Sequence, residues 1–266
     1  MQSSHRPQSE VVKAVPKSQT LVDELVSPTL PLGLEGCRKI GVRVPKDLVS
    51  SKDIHELHEY VRSKDVSKSK IDKLVSLIAW DIKTTSPAVL LMAIDEKTGD
   101  SLFHTAMRAQ RIDFLRQLRN SFPPNSSFAL GSKLILRHAN HQGQTLLHAA
   151  AETGNLDMVI SAYRMFAEDT ALPGETPYPG YTPIEELTDL PDDGIPHLMF
   201  LLSEDLQGQT AADVARAAGF EEIALWITSL IEQLDPLGQR NDAAKRAEWD
   251  IFVTKHNQYR YREKHI

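Results

Sequence analysis

From residue 51 onward the apolar residues fall three and four apart, the spacing of one face of a helix. Ile54, Leu57, Tyr60 and Val61 outline a first helix, which Ser51 or Asp53 can cap by accepting a bond from a free first-turn N–H. Ile71, Leu74, Val75, Leu77, Ile78 and Trp80 outline a second. Ser86-Pro87 opens a short apolar segment over Ala88–Ile94. Two or three helices are therefore expected before residue 95. Residues 21–50 read differently. Pro28, Pro31, Pro45, Gly33, Gly36 and Gly41 forbid a long helix and leave short irregular or extended pieces, such as Ile40–Val44. Residues 1–20 are polar and hold two prolines, which reads as a flexible tail. Their Ser-rich, basic make-up leaves an organellar transit peptide as the alternative.

The clearest pattern follows. Three segments align: TGDSLFHTAMRAQRIDFLRQL from Thr98, QGQTLLHAAAETGNLDMVISAY from Gln142 and QGQTAADVARAAGFEEIALWI from Gln207. Each opens on a glycine (Gly99, Gly143, Gly208), which permits a tight turn at positive φ. Two residues later stands a hydroxyl (Ser101, Thr145, Thr210) placed to cap a helix. Three further on stands His104, His148 or Asp213. Small alanines follow and let that helix lie close to its neighbours. A second turn at Gln110, Gly154 or Gly219 then leads into a return helix, whose inward face in the middle copy holds Leu156, Met158 and Val159.

These segments resemble the ankyrin repeat, and GQTLLHAAAETGNLDMV (Gly143–Val159) is the strongest match. The first copy departs at Gln110, where glycine is usual, and the last has Asp213 in place of the histidine. A degenerate fourth copy runs from Gly180 through Thr182 and Pro183 to Leu201 and Leu202, with Glu185 at the histidine position. The resemblance covers about residues 95–232. Copy spacing is irregular, 44, 37 and 28 residues between successive motif glycines, against a period of about 33 in this family. Insertions at NSFPPNSSFALGSKLILRHAN and AEDTALPGETPYP lengthen two links. The expected fold is mainly α: a short ankyrin-like α-solenoid of three to four irregular helix-turn-helix repeats, with an N-terminal helical region and a C-terminal helix. The expected divisions are a flexible tail at 1–20, an irregular then helical region at 21–94, the repeats at 95–234 and a helical extension at 235–266. Asp242–Glu263 contains Trp249, Phe252, Val253 and Tyr259 and either caps the stack or extends from it.

Composition narrows the function classes. The formal net charge is −6, which argues against general nucleic-acid binding. The exception is the basic, aromatic tail Lys245–Lys264, which reads first as a packing helix, then as a partner-binding helix, then as a stacking surface for nucleic acid. The single Cys37 rules out an internal disulfide and suits a reducing, intracellular and cytoplasmic setting, with nucleus or organelle as alternatives. No apolar run has the roughly 18–20 residues that span a bilayer.

Candidate chemistry is sparse. His55-Glu56-Leu57-His58-Glu59 has its histidines three apart, not the four that the zinc-protease helix needs. Glu185, Glu186, Asp189, Asp192 and Asp193 lack calcium-loop spacing and read as a solvated face or a dock for a basic partner. No nucleophile elbow or phosphate loop occurs. His104 and His148 read as structural, since the family's motif histidine bonds to backbone between neighbouring turns. Neither a cofactor nor a metal is expected, and the chain reads as a non-enzyme. The resemblance implies a protein-interaction adaptor that binds a protein partner through a concave face and loops, alone or as a subunit of a larger complex. The positions flanking the motif are the candidates: Lys97, Thr98, Asp100 and Arg108 with Ala109; His141, Gln142, Gln144, Glu152 and Thr153; Leu206, Gln207 and Gln209. All are expected to be exposed and free of any role in the fold. The alternatives are a bacterial effector acting on host proteins, or an enzyme whose site lies in residues 1–94.

Overall fold

The computed structural model describes residues 29–122, 129–166 and 194–263, and these are mainly helical, with no strand among them beyond isolated bridges. Among the described residues four helices precede residue 95: α1 (Leu34–Lys39), α2 (Ser51–Arg62), α3 (Lys68–Asp81) and α4 (Ser86–Met92). The proline and glycine density of the early region limits α1 to six residues, and Ile40–Val44 follows it as turn and coil rather than strand. Ser50, one residue before the expected caps, accepts from the Asp53 N–H and starts α2. α2 buries Ile54, Leu57, His58 and Val61; α3 buries Ile71, Val75, Ile78 and Ala79.

The three aligned segments each form a pair of helices. They are α5 (Leu102–Arg108) with α6 (Ile112–Asn120), α8 (Leu146–Ala151) with α9 (Leu156–Phe166), and α11 (Ala211–Ala217) with α12 (Glu221–Leu234). The intervening links carry further helices, α7 (Ala129–Leu136) and α10 (Ile195–Leu201), and α13 (Ala243–Glu263) closes the chain. The first helices form a row, α2 on α5, α5 on α8 and α8 on α11, while α6, α9 and α12 pack in sequence behind. Ala106, Ala149, Ala150 and Ala215 are fully buried in that row, so the small residues are what allows the close approach. The degenerate copy from Gly180 lies outside the described residues up to 193.

Each pair opens on the same turn. Gly99, Gly143 and Gly208 have φ of +73°, +77° and +73°. The Asp95, Asn140 and Asp205 N–H groups donate to the carbonyls of Asp100, Gln144 and Gln209, each at 2.9 Å. Their side-chain oxygens accept backbone N–H groups of the same turn, Lys97 and Thr98, Gln142 and Gln144, and Gln207 and Gln209. The helix-to-helix turn is also shared: Gly154 and Gly219 adopt φ of +66° and +83°, and Gln110 adopts +54° where the glycine is missing.

The residue after that second turn ties each pair to the one before. Asn155 donates to the Gln110 side chain, and Phe220 lies over Gly154. Arg111 does the same toward α2 and α3, donating to the carbonyls of Ser63 (2.6 Å) and Val66 (3.1 Å). The α2–α3 pair therefore occupies the place of a preceding unit, which its sequence does not reveal. At the other end a fourth turn, Asp235–Gly238, repeats the pattern, with Gly238 at φ +66° and its N–H bonded to the Asp235 carbonyl. α13 follows that turn but packs on α10, with Trp249 buried.

Candidate interaction surface

The turns of successive units are joined by backbone. The His141 N–H donates to the Thr98 carbonyl, and the Leu206 N–H to the Gln142 carbonyl, both at 2.9 Å. The approach is so close that a Cβ on Gly99 would sit 2.6 Å from His141, and one on Gly143 would sit 2.8 Å from the Leu206 nitrogen. This ladder brings Lys97, Thr98, His141, Gln142, Leu206 and Gln207 onto one strip, and all six are exposed. Gln209 is half-buried beside it, whereas Thr153 is half-buried in the α8–α9 turn, bonded to the Ala150 carbonyl (2.7 Å).

The other candidates lie beneath the strip. Asp100 and Gln144 are buried, which corrects the expectation that these positions are exposed and have no part in the fold. Arg108 ion-pairs with Asp100, donates to the Gln144 side-chain oxygen (2.7 Å) and pairs with Glu152 of the next unit (3.0 Å). Gln144 in turn donates to Glu152 (2.6 Å), and Asn140 donates to Asp100 (2.9 Å). The physical reason is desolvation: a buried carboxylate persists when cations and amide donors surround it. Hydrogen bonds from Asn140 and Arg108 outweigh burial and hold the Asp100 carboxyl below its ordinary range. Asn140 escaped the sequence reading. Its signal, an Asp or Asn three or four residues before each motif glycine, stands at Asp95, Asn140, Asp205 and Asp235.

The motif histidines lock the units. The Ser101 hydroxyl meets His104 Nδ1 at 2.8 Å, and His104 Nε2 reaches the Gln144 carbonyl at 3.1 Å. A carbonyl only accepts, so Nε2 carries the proton and Nδ1 accepts from the hydroxyl. His148 repeats this with Thr145 and the Gln209 carbonyl (3.0 Å). Burial pushes His104 down to about 3 and lowers His148 as well. In the last unit Asp213 accepts from Thr210 and Arg216. A carboxylate has no proton to offer a following turn, and among the described residues none lies against Gly208, whose Cβ position is open.

His58 is buried and meets Thr105 at 2.6 Å, while His55 is exposed, so the two do not share a ligand. Burial pushes the Cys37 thiol up, the opposite of an activated nucleophile. No group of three potential metal ligands occurs among the described residues. The acids from Glu185 to Asp193 lie outside the described residues. A cleft of about 340 Å³ between α9, α10 and α13 is lined by Phe166, Phe200, Glu204 and Arg246, the last two paired at 3.0 Å. No helix among the described residues is alone long and apolar enough to cross a membrane. A scan against protein-family models gives no match to this chain, and a search of curated proteins gives none.

Proposed function

We propose that the chain is a protein-interaction module of the ankyrin type, which binds a protein partner on the strip formed by its turn tips. The observation that carries this reading is the separation of roles between neighbouring residues. Asp100, Asn140, Gln144, His104 and His148 are buried and bonded across units, while Lys97, Thr98, His141, Gln142, Leu206 and Gln207 stand exposed above them. A rigid platform favours recognition, because little conformational entropy is lost on binding, and few of its exposed side chains are tied to the fold: His141 bonds to the Lys97 carbonyl (3.2 Å) and Thr98 accepts from the Asp100 N–H (3.2 Å). The repeated turn glycines, capping hydroxyls and cross-unit histidines support the ankyrin resemblance. The mixed polar character of the strip, with one lysine, one histidine and one exposed leucine, suits a protein surface.

The test is quantitative affinity capture with the full chain and with a Lys97→Ser, His141→Ser, Gln142→Ser variant. The reading expects specific partners of the parent chain to be lost from the variant, while its melting temperature stays close to the parent's. Capture unchanged in the variant but abolished by removing residues 1–94 or 243–266 would refute it, as would an enzymatic activity mapping to residues 1–94.

A further inference from the structure

α3 is apolar on two faces. Ile71, Val75 and Ile78 are buried toward α2 and α4, yet Leu77 is 65% exposed and Trp80 85% exposed on the outer side. A helix with apolar residues on opposite faces has two surfaces to cover, and the described residues cover one. At 3.6 residues per turn, Lys73, Leu77 and Trp80 fall within an arc of roughly 60°. A backbone bond from Lys46 to the Ile82 carbonyl (2.7 Å) also brings the segment holding Leu48, 55% exposed, to the C-terminal end of α3.

The charges around this patch select its occupant. Leu77 lies midway between Lys73 and Asp81, four residues from each, and both ends are exposed. Neither side chain forms an ion pair with another described residue. Lys70, by contrast, is already placed 4.8 Å above the Tyr60 ring. A two-fold axis through Leu77 sets Lys73 of one copy opposite Asp81 of the other, twice. The parallel arrangement sets like charges together and is disfavoured. Such self-complementarity is the mark of an isologous contact, the commonest in oligomers.

We propose that α3 is the seam of a symmetric homodimer, in which two α3 helices pack antiparallel with Leu77 and Trp80 at the centre and a Lys73–Asp81 pair at each end. The seam lies on the opposite helix of its unit from the turn strip, so dimerisation leaves the strip accessible and doubles it. The contact is independent of what the strip binds.

Sedimentation velocity of the full chain across the micromolar range tests this. A concentration-dependent monomer–dimer equilibrium is expected. Trp80→Ser should shift it to monomer while the melting temperature stays close to the parent's, since the side chain is exposed. Lys73→Glu and Asp81→Lys should each weaken the dimer by on the order of tenfold, because each replaces two attractions with two repulsions. The double variant should restore it. A monomer at every concentration would overturn the proposal, as would a dimer indifferent to Trp80→Ser. Open-ended species growing with concentration would overturn it in favour of head-to-tail contact, for which α12 offers Glu222, Leu225 and Glu232. Flotation with vesicles of anionic phospholipid, in a chain that does not self-associate, would overturn it in favour of a lipid surface.

Discussion

The Arg108 guanidinium sits 3.0 Å from the Glu152 carboxylate, although 44 residues separate them and each belongs to a different helix pair. The same side chain reaches buried Asp100 and the Gln144 amide oxygen, so one arginine joins two units and neutralises the carboxylate beneath. Arg108→Ala leaves Asp100 buried with Asn140 as its remaining side-chain donor. Arg108 is 30% and Glu152 32% exposed, which keeps the cost below that of a fully dry pair. A loss of about 2–3 kcal/mol in urea denaturation is expected. Arg108→Lys should recover only part of it, because a lysine presents no planar fork to three acceptors.

Gly143 and Gly208 separate backbone strain from inter-unit contact. Both have positive φ, so an alanine at either position costs about 1–2 kcal/mol in the left-handed region. At Gly208 the Cβ meets open space; at Gly143 it meets the Leu206 nitrogen at 2.8 Å. Gly143→Ala should therefore be the more destabilising variant by at least about 1 kcal/mol. Equal midpoints in denaturant would show that the turns are not in contact.

Ala149 tests the helix row. It is fully buried on α8, between α5 and α11. Ala149→Leu should overpack this contact and cost roughly 1–3 kcal/mol. An unchanged melting temperature would contradict the row.

The sequence made the helix pairs of the three motif copies legible because turn glycines, capping hydroxyls and alanines leave short-range marks. The α2–α3 unit carries none of the turn glycines and is identified by α2 packing on α5 and by Arg111 reaching the Ser63 and Val66 carbonyls, contacts made through space. Surface strip and buried network were likewise inseparable in sequence. Lys97 and Asp100 look equally solvated in one dimension; Asn140, 40 residues from Asp100, and Arg108 together explain why the latter turns inward. Asp213, a departure from the motif, becomes intelligible once Gly208 is seen uncovered.

Acid should unlock the histidines. His58, His104, His138 and His148 all have folded-state pKa values below 6.5, chiefly through burial. The unfolded chain then binds more protons below about pH 6.5, so stability is fully present above that value and declines as pH falls toward the folded pKa. For His104, lowered to about 3, the expected loss between pH 7 and pH 5 is about 2 kcal/mol. Replacing His104 with Gln should flatten this part of the pH profile while lowering stability at pH 7. A parent chain equally stable at pH 7 and pH 5 would contradict the neutral, cross-unit histidine.

Hydrogen–deuterium exchange of the full chain, with and without a captured partner, tests the interaction surface most directly. Binding at the turn tips predicts new protection in backbone amides of residues 96–99, 141–143 and 206–208, and little change across α3 or α13. Protection confined to residues 29–94 or 243–263, with the three turns unchanged, would contradict it.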